Sequence, residues 1–342
     1  MANEVYITKA AKFLPNQPVP NDEMEDYLGL IHHLSSKSKR IVLRNNGIKS
    51  RYYAVDKNGN ATHSNSEMVA LAIRNLTGND PEKIKTIDLL SCGTSTPDQI
   101  NPSHAVMVHG WLPESSAMEV VSSSGVCCSG MHALKYAWMS VNLGESKNAV
   151  ATGSERASRL LRSDVFEEEV NKLEAAEKDP YISFDKDFLR WMLSDGAGVL
   201  QLSNKKNESG ISLRIDGLDG VSYAHMVEPC MYTGAEKMKD GKLKSYMDYS
   251  PTEIVDKSIL SIKQDVKLLR ENIVELGYHM FKPLYEKYKI TSADIDYFLP
   301  HLSSEFFRSK IAEKLDANDM TIPKEKWFTN LATVGNVGAD SI

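Results

Sequence analysis

The sequence predicts a layered α/β protein made of two similar halves. Three observations carry this reading. Short apolar runs alternate with stretches of helical spacing, and the alternation restarts after about residue 207. A turn of small residues holding two cysteines sits where a strand gives way to a helix.

In the first half, residues 5–11 read as a strand, stopped by Pro15 and Pro18. Asn21 is placed to cap a helix over 23–30. Ser64 is placed to cap another over 64–75, where Met68, Leu71 and Ala72 have helical spacing. Strands follow at 87–91, 117–122, 148–153 and 198–203. Between them, 130–142 has Leu134, Ala137 and Val141 on one helical face. Residues 156–190 are rich in Glu, Lys and Arg and read as an excursion from the sheet, a surface helix or a cap over a site.

The second half begins with a strand at 211–215. A long helix over 252–288 is expected to weaken at Gly277 and break at Pro283. A strand at 295–300, a helix at 304–315 and a short strand at 327–329 complete it. The expected division is therefore 1–206 and 207–342, with the insertion at about 156–190 inside the first unit.

Bulk composition narrows the function. The 342 residues are 42% hydrophobic and 25% charged, the balance of a water-soluble globular chain. A net charge of -6 argues against a nucleic-acid partner. The N-terminus lacks the basic-then-apolar pattern of a signal peptide, and no apolar run is long enough to span a membrane. Cys92, Cys127, Cys128 and Cys230 form neither a zinc-type spacing nor a disulfide framework, so a reducing cytoplasm is expected. No metal is implied.

Three segments point to chemistry. Residues 120–133 read VVSSSGVCCSGMHA: strand, small turn, two cysteines, then Gly130 opening a helix. A cysteine there lies near unpaired N–H groups and the positive end of the helix dipole, a setting for a reactive sulfur. His301 follows Pro300 at the carboxyl edge of an apolar strand, where α/β proteins gather their ligands. Asn336 sits between Gly335 and Gly338 in a turn of small residues, which taken alone is turn chemistry.

Taken together, Cys128-Ser129-Gly130, Pro300-His301 and Gly335-Asn336 resemble, in order, the motifs of the ketoacyl-ACP synthase III group of thiolase-fold condensing enzymes. Residues 44–48 (RNNGI) resemble the family's Arg-Thr-Gly-Ile segment with one extra residue, and 194–198 (SDGAG) its Gly-Asp-Gly-Ala-Gly loop. Residues 102–105 (PSHA) resemble the loop that reaches across its dimer. The resemblance implies a duplicated five-layered αβαβα fold and a homodimer. It implies acyl transfer to Cys128, then decarboxylative Claisen condensation with a malonyl- or ketoacyl-type thioester. His301 and Asn336 are then hydrogen-bond donors to the extender's carbonyl, and Cys127 a neighbour of the nucleophile. No cofactor is implied beyond acyl thioesters on acyl carrier protein or coenzyme A. The setting is fatty acid or polyketide biosynthesis, with the dialkylresorcinol and flexirubin-type ketosynthases as one branch.

Four features depart from the family pattern. Arg40 stands where coenzyme A users place a Trp, which favours a carrier-bound donor, while Arg44 matches the phosphate-contacting Arg. Asn101 stands where an aromatic residue often lines the acyl pocket. The insertion at 156–190 is long, and the family continues past the Asn336 turn with a helix and closing strands, so those strands are expected to be missing from 207–342. Arg308, Lys310 and Lys314 share one helix and are candidates to meet an acidic carrier protein. The alternatives are a thiolase or hydroxymethylglutaryl-CoA synthase, or a non-catalytic ketosynthase-like partner. Against a thiolase, no Cys lies beyond Cys230.

Overall fold

The computed structural model describes residues 3–31, 35–36, 38–166 and 188–341. Most of the charged excursion, residues 167–187, lies outside the described residues.

β1 (Tyr6–Phe13) is followed by a small pair, β2 (Val19–Pro20) with β3 (Ser50–Arg51). Then come β4 (Leu89–Thr94), β5 (Glu119–Ser124), β6 (Asn148–Glu155), β7 (Gly196–Ser203) and β8 (Leu213–Arg214). β1 and β4 to β8 form one mixed sheet in the order β5-β4-β6-β7-β1-β8. β4 runs parallel to β5 and β6, while β7 is antiparallel to β6 and β1. The helices of this half are α1 (Met24–Leu28), α2 (Lys39–Asn46), α3 (Asn65–Thr77), α4 (Pro81–Lys85), α5 (His104–Gly110) and α6 (Ser129–Leu143).

The two-residue side-chain period explains the layering. Leu90, Cys92 and Val150 pack with Val69 and Ile73 of α3 and Val108 of α5. Leu89, Ala149 and Ala151 pack on the other face with Leu134, Ala137 and Val141 of α6. Both faces of β4 are covered, so all six of its residues are buried and its sequence is apolar or small throughout. The α/β class, these strands and the α6 face agree with the expectation from sequence. Ser64 caps α3 in a full capping box with Glu67, a motif that stabilises a helix by about 1 kcal/mol.

The second half adds two small pairs, β9 (Met231–Tyr232) with β12 (Lys263–Gln264), and β10 (Ala235–Lys237) with β11 (Leu243–Ser245). Its helices are α7 (Pro251–Asp256), α8 (Val266–Tyr288), α9 (Phe306–Asp316) and α10 (Leu331–Val334). Tyr278, Leu315, Met320, Ile322 and Trp327 form its own apolar cluster.

Several local expectations change. Asn21 does not cap α1. Its amide donates to Ile48 O and its oxygen accepts from the buried Arg51 guanidinium, so it is recruited to a core charge instead. The single helix expected over 252–288 is two helices, because Ser258 takes a left-handed conformation and β12 pairs with β9. α8 then runs through both Gly277 and Pro283. Pro283 faces solvent, so the carbonyl its missing N–H leaves unbonded is open to hydration. The strands expected at 295–300 and 327–329 shrink to one parallel bridge, Phe298 to Trp327. Those two rings meet edge to face at 4.8 Å. Trp327 is buried while Tyr297 and Leu299 face outward, so aromatic packing rather than a ladder joins these segments.

Candidate active site

The parallel strands β4, β5 and β6 end side by side, and the loops at their carboxyl ends form one rim. Residues 125–128 leave β5, and Cys128 becomes the N-cap residue of α6. Cys128 is exposed and Cys127 half-buried. Burial, and then the adjacent Glu155 carboxylate, push the Cys127 thiol up to about 12. Cys92 lies under α3, and burial raises its thiol to about 12 as well. Cys230, just before β9, is raised by burial too. Such raised values mark Cys92, Cys127 and Cys230 as protonated thiols at neutral pH.

Close packing fixes where α6 begins. A Cβ on Gly93 would stand 2.2 Å from Ser129 O, and one on Gly130 2.1 Å from Ala339 O. The first contact seats α6 on β4. The second seats the Asn336 turn on α6. A cavity of about 370 Å³ records this meeting, lined by Gly130 and Leu134 on one side and Gly335, Val337 and Asp340 on the other. Pro300 and Leu302, which flank His301, line a smaller hollow with Gly335 and Ser341. The turn thus lies between the start of α6 and the segment that carries His301.

Asn336 is buried and held from both ends. Its N–H donates to Met192 O at 3.1 Å, and its carbonyl accepts from Ser194 N–H at 2.9 Å. Its side-chain Oδ1 accepts from Gly338 N–H at 2.9 Å and from the Ser341 hydroxyl at 3.2 Å. Those bonds orient the amide and leave Nδ2 without an acceptor among the described residues. His301 makes no side-chain hydrogen bond among the described residues. Solvent reaches its ring, yet desolvation by the surrounding protein lowers its pKa to about 4. The imidazole is therefore neutral at physiological pH, with one N–H to donate.

The expected binding residues scatter. Arg40 and Arg44 are exposed on α2, and neither has a charged partner among the described residues. Asn101 is exposed ahead of α5. On α9, Arg308 meets Glu305 at 2.6 and 3.0 Å, Lys310 meets Glu313 at 3.0 Å, and Lys314 meets Glu275 at 2.5 Å. The α9 cations are thus matched by acids on α8, on α9 and at the N-cap of α9.

Glu155 is a site residue the sequence analysis passed over. It ends β6 with only 5% of its surface exposed, and burial pushes its carboxyl up to about 7. The available signal was a carboxylate closing an otherwise apolar and small strand at its carboxyl end.

No family model matches the chain. Ketoacyl-ACP synthase III of Clostridium perfringens is 26% identical over 335 residues, which cover 96% of this chain and 85% of that protein. Among solved structures, the tetronic acid condensing enzyme AbyA1 superposes with a TM-score of 0.70 at 20% identity, covering 98% of this chain and 88% of that one. 3-Oxoacyl-(acyl carrier protein) synthase III from Pseudomonas aeruginosa superposes at 0.66 with 16% identity, over 99% and 86%. In its ordered motifs and over nearly its whole length the chain is thus similar to ketoacyl-ACP synthase III, and it has the fold of these condensing enzymes.

Proposed function

We propose that Cys128 takes an acyl group from a thioester donor and that a decarboxylating extender then condenses with it. The thiolate attacks the donor carbonyl, the carrier or coenzyme A thiol leaves, and an acyl-Cys128 thioester results. A malonyl-type thioester enters next, and its free carboxylate is the group lost as CO₂. His301 and Asn336 Nδ2 donate to its thioester carbonyl as CO₂ departs, which stabilises the enolate. The enolate attacks acyl-Cys128, a carbon–carbon bond forms, and the thiol is released. The observation that best supports this reading is Asn336: its oxygen is fully engaged, and its N–H₂ is left over on a turn packed against the start of α6.

The donor thioester is carried by acyl carrier protein. The exposed Arg40 and Arg44 favour α2 as the surface that meets its acidic face, since the α9 cations already have acidic partners. Two copies pair along β5, the outer strand of the sheet, whose free edge invites continuation by a second copy.

Incubation with a panel of acyl-CoA and acyl-carrier donors, followed by peptide mass spectrometry, tests the reading. Acyl groups on Cys128 support it. Label confined to Cys127, or no label with any donor, overturns it. Light scattering against concentration tests the dimer.

A further inference from the structure

We infer that Glu155 is a positioning residue, clamping the Asn336 turn and the nucleophile loop together so that condensation depends on it while acyl loading does not. This rests on the condensing reading above.

One carboxyl group touches both parts of the site. Oε1 accepts from Ser95 N–H at 3.0 Å and from Ala339 N–H at 3.4 Å. Oε2 accepts from the Thr96 hydroxyl at 2.6 Å. The Ser95 hydroxyl in turn donates to Gly125 O at 2.7 Å, in the loop that delivers Cys127 and Cys128. Thr96 Oγ1 accepts from Arg156 N–H at 2.8 Å, which fixes that hydroxyl. On the other side, Ala339 lies three residues beyond Asn336. Between them Gly338, at φ +57°, lies so close to Glu155 that a Cβ there would be 2.9 Å from its Cγ. The carboxyl therefore spans from the nucleophile loop, through Ser95, to the turn that aims Asn336.

A carboxyl suits this place because two oxygens offer about four acceptor positions, and four donors point at them, the fourth being the Thr94 hydroxyl at 3.5 Å. Burial raises the carboxyl to about 7, so near neutrality the group is shared between its protonated and charged forms. Gln keeps the shape and both backbone contacts on its oxygen. Its N–H₂ meets Thr96 once that hydroxyl turns. Met fills a similar volume with no acceptor oxygen.

The asymmetry of the clamp predicts an asymmetric defect. The nucleophile loop meets Glu155 only through Ser95 and is also held by the packing of Gly93 on α6, whereas the Asn336 turn, packed on Gly130 through Ala339 O, bonds the carboxyl directly through Ala339 N–H. Loss of the carboxyl releases Asn336 more than Cys128.

The test compares Glu155→Met and Glu155→Gln with the wild-type chain in two separate readouts: acylation of Cys128 by an acyl-acyl carrier protein, and CO₂ release from malonyl-acyl carrier protein by the acylated enzyme. Glu155→Met is expected to acylate within a few-fold of wild type but to lose about a hundredfold in CO₂ release, the scale of a misplacement near 1 Å. Glu155→Gln is expected to restore most of that loss. Faster amide exchange at Gly338 and Ala339 in the Met variant, with unchanged exchange in α6, gives the same answer without substrate. Equal loss in both readouts, no loss in either, or no rescue by Gln overturns the positioning role. A wild-type chain that leaves Cys128 unmodified overturns the condensing reading itself, and the exchange measurement then decides the clamp alone.

Discussion

The two halves of this protein hold their reactive groups in different ways. Cys128 stands at a strand-to-helix junction seated by backbone contacts at Gly93 and Gly130, on a sheet with both faces covered. His301 and Asn336 stand on irregular backbone, joined to the rest by single bridges such as Leu193 to Asn336 and by individual hydrogen bonds. Cys128, the proposed nucleophile, is thus positioned by close packing, which tolerates few substitutions. Asn336, a proposed donor, is held by polar contacts, several of which reach back into the first half. The lesson is that the second half borrows its precision from the first.

Substitutions can break this contrast at each point. The largest effect is expected at the nucleophile. Cys128→Ala should abolish acyl loading, while Cys127→Ala should retain it within about tenfold, since the Cys127 thiol is held protonated by burial. Comparable loading by both variants, measured by intact mass, would move the nucleophile to Cys127.

His301→Ala and Asn336→Ala should each reduce condensation by about 10² to 10³ while leaving loading of Cys128 nearly intact, the scale for one lost oxyanion donor. The His301 contribution should also be flat from pH 5 upward and fall only near pH 4, where its ring gains a proton. A break in the pH–rate profile near 6.5 that vanishes in His301→Ala would contradict the neutral-donor role.

Packing in the first half is the next test. Gly93→Ala places a methyl 2.2 Å from Ser129 O and should cost about 2 to 4 kcal/mol of stability, read by denaturant unfolding. A neutral outcome would mean that α6 is not seated on β4.

Buried carboxyls set the pH dependence of stability. Burial raises the Glu155 pKa from 4.5 to about 7, so between those values the folded state holds a proton that the unfolded state has released. The Glu155 contribution should be full below about pH 4.5, fall as pH rises through 7, and level off above. The Glu155 part amounts to roughly 3 kcal/mol at most. Buried Asp195 is raised too and acts in the same direction. Glu155→Gln should flatten its share of the slope in thermal melts at pH 5 and pH 8. Smallest of all, Ser64→Ala should cost about 1 kcal/mol by removing the cap of α3, with no effect on loading.

Legibility in the sequence followed the same contrast. β1, β4 to β7, α3 and α6 were each readable within a few residues, because buried strands and one-sided helices leave periodic apolar patterns. The second half was less readable. Met231–Tyr232 pairs with Lys263–Gln264 across thirty residues that carry no alternation, and Phe298 meets Trp327 through one bridge only. The role of Asn21 was misread because its partner, the buried Arg51, is distant in sequence.

By itself, then, the sequence determined the α/β class, the order Cys128, His301, Asn336 and the strand-to-helix setting of Cys128. These depend on residue type and local spacing. Only the tertiary structure decided that the α9 cations are matched by nearby acids, that Asn336 has its oxygen engaged and its nitrogen without an acceptor among the described residues, and that Glu155 touches both sides of the site. Those facts depend on which distant backbone atoms come within hydrogen-bond reach, and no local pattern encodes that.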